Sequence, residues 1–292
     1  MQPVKAEIKA AVTNIRSDRD KGARQLAMTA LEALRGVADG MPGEELRDSC
    51  RTLALARPMM AAIGNAVAAA WSRYLETGDG PAAVSDTIET ISTAPEGMAL
   101  AARKVIPTGT VMSYSYSSTV IELLTRVKPR RVIISEARPT NEGIRVAKAM
   151  VRAGISMTMI TEAQMALFVH EADAVMVGAD SVLPEGDFIN KIGTRMLALA
   201  ARDAEVPFYT ATETLKVTAP SEPMPFAPEE GKPTEVCSEN WLEVRNVYYE
   251  VTPARLVTSY ITEQGVLDPA EMVKFSAEAE KRWQLLMNSH EA

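Results

Sequence analysis

The chain has 292 residues, 47% apolar and 24% charged, with 31 Lys and Arg against 38 Asp and Glu for a net charge of −7. Those proportions are ordinary globular usage. They exclude disordered, collagen-like and mucin-like chains, and the length suits one large domain or two modest ones. The acidic balance argues against direct nucleic-acid binding, because there is no long basic run and no interleaving of bases with aromatics. Cys50 and Cys237 are far apart and lack metal-ligand spacing, so no metal site, cofactor or disulfide framework is expected and a cytoplasmic location fits. Lys5 and Glu7 fall where a signal peptide has its apolar stretch, and no window approaches the ~18 apolar residues of a membrane span.

From Val4 to about Val105 the sequence is rich in Ala, Leu and Met, and apolar residues recur at three- and four-residue intervals. This predicts four or five helices, with breaks at Ser17 to Gly22, Gly40 to Gly43, Arg57-Pro58 and Gly78 to Pro81. Their Met and Leu stripes read as core, since any packed helix needs one apolar face.

At Pro107-Thr108-Gly109 the pattern changes to short β-rich runs alternating with helical ones. Strands are expected at Thr110 to Ser113, Arg131 to Ser135, Ile155 to Ile160, Ala174 to Val177, Pro207 to Thr210 and Val247 to Val251. Helices are expected at Ser118 to Arg126, Glu142 to Ala153, Glu162 to Glu171 and Lys191 to Asp203. The fold class is therefore α/β, with an N-terminal all-helical domain (1–106) followed by a Rossmann-like parallel-sheet domain (107–292) that binds the ligand. The segment from Val217 to Thr234, with five prolines, is expected to be a long loop or arm. A helix from Pro269 to His290 is expected to pack on the sheet or on a partner.

In open α/β sheets ligands collect at the carboxyl ends of the strands. After the first strand, Ser113 to Thr119 supplies hydroxyls leading into a helix; this stretch either seats a phosphate or only caps the helix. After the second comes Glu136-Ala137-Arg138-Pro139-Thr140-Asn141-Glu142-Gly143, by itself a loop like many others. After the fourth comes Gly178-Ala179-Asp180-Ser181, with Asn190 and Lys191 expected to open the next helix. That set makes either a pocket with an acid and a phosphate partner, or a capped turn at Asp180. Glu213 and Lys216 follow the fifth strand and, taken alone, read as a surface charge pair.

Taken in order, these segments resemble the superfamily that joins ribose-1,5-bisphosphate isomerase, methylthioribose-1-phosphate isomerase and the regulatory subunits of eukaryotic translation initiation factor 2B. The marks are Glu136-Ala137-Arg138-Pro139, Val177-Gly178-Ala179-Asp180, Ile189-Asn190-Lys191-Ile192-Gly193-Thr194, Glu213-Thr214-Leu215-Lys216, Val251-Thr252-Pro253 and Ile261-Thr262-Glu263-Gln264-Gly265. Arg57-Pro58 with Gly64-Asn65, and Lys21-Gly22-Ala23, match helical-half segments of the same family. The resemblance implies a small phosphorylated ligand, a sugar phosphate or nucleotide, and a homodimer or higher homo-oligomer. It implies ligand contacts from Lys21, Gly22, Ala23, Arg57, Ser117, Ser118, Glu142, Asn190, Lys191 and Lys216, with Asp180 and Ser115 at the catalytic positions.

Three residues depart from the family pattern. Ser115 stands where the isomerases have a catalytic Cys, Glu142 replaces the Gln expected before Gly143, and Lys21 replaces an Arg. In the isomerases the Asp is thought to help open the ring of the 1-phosphorylated aldose while the Cys moves a proton between C1 and C2. A thiol is readily tuned into a base; an alcohol needs a neighbouring base, and none lies nearby in sequence. The resemblance thus implies one of two things: a protein most like ribose-1,5-bisphosphate isomerase, or a non-catalytic relative of the initiation factor 2B alpha subunit that senses a nucleotide or sugar phosphate. Of the two histidines, His170 and His290, the first is expected in an amphipathic helix and reads as a structural residue, and neither Cys50 nor Cys237 matches the missing thiol position. A dinucleotide-dependent oxidoreductase is disfavoured because no G-x-G-x-x-G follows any expected strand.

Overall fold

The protein is described from a computed structural model that places residues 5–18, 21–222 and 230–288. Five helices come first: α1 (Ala6–Ser17), α2 (Ala23–Arg35), α3 (Gly43–Ala54), α4 (Ala61–Thr77) and α5 (Gly80–Val105). The breaks between them fall at the turn-forming clusters. Gly78 ends α4 in the left-handed conformation at φ 72°, and Asp79 caps α5 by accepting from the Ala82 amide at 2.9 Å. α4 is apolar almost all round, with every residue from Ala61 to Trp71 buried, so it forms the axis of the bundle. The far half of α5 belongs to another core. Met98, Ala101 and Ala102 pack with Val111, Val120, Val132 and Met176 of the sheet layer.

Seven strands form the main sheet: β1 (Thr110–Ser113), β2 (Arg131–Ser135), β3 (Ser156–Ile160), β4 (Ala174–Gly178), β7 (Phe208–Ala211), β9 (Ser259–Thr262) and β10 (Gly265–Leu267). Their order is β10-β9-β7-β4-β1-β2-β3, and all pairings are parallel except the β9–β10 hairpin. The connecting helices include α6 (Ser118–Val127), α7 (Gly143–Arg152) and α9 (Thr194–Asp203). The buried strands read as continuous apolar runs because both faces are covered. This is the mixed α/β architecture expected, with helices first and a mostly parallel sheet after.

Several elements differ from expectation. The stretch Glu162 to Glu171 is only a four-residue helix, α8 (Met165–Phe168), between two 3₁₀ turns, and its His170 is exposed. Asn190 and Lys191 do not open a helix. They end β6 (Phe188–Lys191), which lies between β5 (Ser181–Val182) and β8 (Tyr249–Thr252) in a second, antiparallel sheet. The strand expected from Val247 belongs to that small sheet, and β5, β6, β9 and β10 were not anticipated. Of the Pro-rich arm, residues 223–229 lie outside the described residues; the remainder carries two isolated bridges, Val182 with Val217 and Glu230 with Val247, and enters a 3₁₀ turn at Pro233–Glu235.

The last helix, α10 (Pro269–Met287), packs back onto the helical layer. Its Ala279, Trp283 and Leu286 share the core of α1 to α4, and the Trp71 indole donates to the Leu285 carbonyl at 3.0 Å. His290 lies outside the described residues. Among the described residues, no helix is long and apolar enough to cross a membrane.

Candidate functional site

The chain lays β1, β2 and β3 to one side and then returns to place β4 on the other side of β1, so the strand order reverses between β1 and β4. At such a point the outgoing loops diverge and leave a crevice. Residues 114–118 leave β1 there, and Ala179-Asp180 leave β4. The two segments touch closely, since a Cβ on Gly178 would fall 2.6 Å from Ser117 Oγ.

Ser117 caps α6, its Oγ accepting from the Val120 amide at 3.3 Å, which leaves Ser118 as the first helical residue. Capping is therefore one of the jobs of this hydroxyl stretch. Gly22, the N-cap of α2, approaches so near that a Cβ there would lie 3.1 Å from Ser118 Oγ. Two helix amino-ends converge at this place, each with unpaired N–H groups and the positive end of its dipole.

Asp180 donates its amide to the Ile189 carbonyl at 2.9 Å, which holds the loop against β6. Its carboxylate receives no hydrogen bond from the described residues, so Asp180 is not a turn cap. Burial pushes this carboxyl above its ordinary value; Lys216 opposes that, the Glu142 charge reinforces it, and Arg57 and Lys191 oppose it further. Arg57, Met59, Met60 and Tyr249 line the small recess in front of Asp180. The Arg57 guanidinium is steadied by donating to the Asp18 carbonyl at 3.0 Å.

Lys216 is buried, not a surface residue. Its Nζ donates to the Ala179 carbonyl at 2.9 Å and lies 3.1 Å from Glu213 Oε2. Burial alone would raise Glu213, but Lys216 and Arg24 outweigh it and hold the carboxyl below its usual range. Thr119 also donates to Glu213, at 3.1 Å.

Lys191 Nζ stands 3.2 Å from Glu142 Oε1 and 4.9 Å from the centre of the Tyr248 ring. The other oxygen of Glu142 accepts from Ser115 Oγ at 2.7 Å. Burial again pushes upward at Glu142, yet Lys191 and hydrogen bonds from Ser115, Lys191 and Thr140 prevail and lower it. The carboxylate beside Ser115 thus comes from the β2–α7 loop, 27 positions away in the chain. Ser115 itself holds a left-handed backbone at φ 60°, as do Ala137 at 59° and Asn141 at 55° in the facing loop. Non-glycine residues seldom adopt this conformation, and they concentrate where side chains are held for function.

Two expected ligand residues are turned to local partners. Lys21 is exposed and pairs with Asp18 at 3.9 Å and Thr29 at 3.3 Å, so this corner offers the backbone of Gly22 and Ala23 instead of a charge. Asn190 is buried with its Nδ2 on Thr194 Oγ1 at 3.0 Å. Arg24, Thr140, Tyr248 and Tyr249 were not anticipated. Arg24 lies one residue past Lys21-Gly22-Ala23 and Thr140 two before Glu142, but the tyrosines enter only through the β6–β8 pairing.

The model of the Initiation factor 2 subunit family matches residues 19–269. The chain belongs to that family. Among curated relatives, the putative translation initiation factor eIF-2B subunit 2-like protein of Pyrococcus abyssi is 32% identical over 277 residues, covering 88% of this chain and 95% of that one. The ribose 1,5-bisphosphate isomerase of Archaeoglobus fulgidus is also 32% identical, over 296 residues and 90% of each chain. Among solved structures, the translation initiation factor eIF-2B of Pyrococcus horikoshii superposes with a TM-score of 0.78 at 27% identity, covering 92% of this chain and 99% of that one.

Proposed function

We propose that this family member binds a 1-phosphorylated pentose in the crevice around Asp180 and acts with the aldose–ketose sugar-phosphate isomerases, most like ribose-1,5-bisphosphate isomerase. The observation that carries this is the gathering of Arg57, Lys191 and Lys216, from three separate parts of the chain, about a carboxylate that has no hydrogen-bond donor among the described residues. Two converging helix amino-ends stand beside them. Lys191 and Lys216 are already paired with Glu142 and Glu213, but with Arg57 they leave Asp180 ringed by cations, which suits a ligand that is anionic at its ends and reactive in its middle. We further propose a Rossmann-like ligand-binding domain, a homodimer or higher homo-oligomer, and a cytoplasmic setting.

The test is a thermal-shift panel of ribose 1,5-bisphosphate, methylthioribose 1-phosphate, AMP and simple pentose phosphates, followed by turnover of whichever binds. Stabilisation by a 1-phosphorylated pentose, lost in Arg57→Ala, is the expected result; no shift with any phosphate overturns the reading. A second reading, a regulatory sensor, draws on the likeness to proteins named as initiation factor 2B subunits. It predicts binding without turnover.

A further inference from the structure

The two residues that break the isomerase pattern inside the crevice, Ser115 and Glu142, are hydrogen-bonded to each other at 2.7 Å. Where the pattern has a thiol and an amide, this chain has a hydroxyl donating to a carboxylate. The exchange moves the basic atom from the end of β1 to the start of α7 without taking it out of the pocket. Lys191 Nζ fixes the other Glu142 oxygen at 3.2 Å, so the carboxylate is held from both sides.

We propose that Glu142 is the base that carries the proton between C1 and C2 of a 1-phosphorylated pentose, with Asp180 as the acid and Ser115 as the residue that positions Glu142. This rests on the sugar-phosphate reading above. Asp180 gives its proton to the ring oxygen as the ring opens. Glu142 removes the C2 proton, forming an enol between C1 and C2, and returns the proton to C1. Asp180 recovers a proton from the C2 hydroxyl as that carbon becomes the ketone. C1 is reduced and C2 oxidised within one molecule, and both carboxyl groups end as they began.

The electrostatics agree with this division. Lys191 and the hydrogen bonds hold the Glu142 carboxyl below its ordinary value against the opposing effect of burial, and the Glu142 charge adds to burial in raising Asp180. Two acids whose environments drive them apart are the expected signature of an acid and base pair. Among the described residues, the titratable groups facing Glu142 are Lys191, Asp180 and Tyr114.

The experiment gives ribose 1,5-bisphosphate to the wild type, Glu142→Gln, Glu142→Asp and Ser115→Ala, reading binding by thermal shift and ketose formation and C1 deuteration by NMR in deuterium oxide. Glu142→Gln keeps the side-chain shape; it is expected to bind as wild type and to lose turnover about a thousandfold, with Glu142→Asp recovering part of it. Ser115→Ala is expected to stay within about tenfold of wild type while its acid-side kcat limb moves to higher pH, because Glu142 loses a hydrogen bond that favours its charged form. Turnover by Glu142→Gln within tenfold of wild type overturns the proposal, as does a Ser115→Ala loss equal to that of Glu142→Gln with no displaced limb. Binding by all proteins with turnover by none overturns it and leaves the binding reading standing; absence of binding by the wild type removes both.

Discussion

Lys216 reaches from the turn after β7 to hydrogen-bond the carbonyl of Ala179, the residue immediately before Asp180. The same ammonium pairs with buried Glu213 and is the largest charge opposing the burial of Asp180. One cation therefore holds the loop, neutralises a buried acid and tunes the candidate catalytic acid.

Lys216→Met should uncouple these roles at a measurable cost. It leaves Glu213 with Arg24 at 3.7 Å and Thr119 as remaining partners, so destabilisation near the lower end of ~3–5 kcal/mol is expected for breaking a buried pair. Denaturant midpoints at pH 7 check this, and the same variant should show no thermal shift with ribose 1,5-bisphosphate.

Asp180→Asn should stabilise the fold while abolishing turnover. The folded-state carboxyl is raised, so the native protein holds its proton more tightly than the unfolded chain, and stability falls as pH rises from about 3.9 through the raised value. Removing the titration is expected to raise the melting temperature at neutral pH and leave it unchanged at pH 3. Equal melting temperatures for wild type and variant at pH 7.5 would count against it.

Gly178→Ala tests the close approach of β4 to α6. The added methyl meets Ser117 Oγ at 2.6 Å and Ser117 Cβ at 2.9 Å, too near to be absorbed by a rotamer change alone. Displacing the cap should cost ~1–3 kcal/mol and weaken sugar-phosphate binding about tenfold, read by calorimetry; unchanged affinity would show that the α6 amino-end does not contact the ligand.

Glu222, outside the proposed chemistry, is a buried acid whose carboxyl burial pushes up to about 7, slightly offset by the Ala219 amide. Its folded value lies above the unfolded one, so its favourable share is complete below about pH 4.3 and is lost as pH rises toward 7. Glu222→Gln should match wild-type stability at low pH and exceed it by at most ~4 kcal/mol at pH 8. Thermal melts across that range decide, and a constant offset at all pH values would refute the assignment.

The helical half was legible because its turns carry their own chemistry: Gly78 needs a left-handed backbone and Asp79 caps a helix, and both facts are local. The parallel strands were legible as apolar runs. β6 was not, since Asn190 and Lys191 read as a helix start, and only pairing with Glu250 and Tyr249 makes them a strand. Within the candidate site, the residue types at the strand ends pointed to Asp180 and Lys191, whereas Lys216 read alone as a surface charge and entered only through the family resemblance. The Ser115–Glu142 contact was invisible because it spans 27 positions and depends on β1 lying beside β2. The burial of Lys216 was hidden for the same reason, its partner carbonyl being 37 residues away.

The placement of α10 also bears on how the protein comes to exist. Trp283 and Leu286 complete the core that α1 to α4 begin, and Arg47 and Arg51 donate to the Leu286 carbonyl at 3.0 and 2.8 Å. A growing chain cannot close that core as its first helices leave the ribosome, because the missing wedge is made only after the sheet. The helical bundle must wait, partly open, while the whole sheet is synthesised, and a chain interrupted before residue 269 would leave both layers without their common fastening.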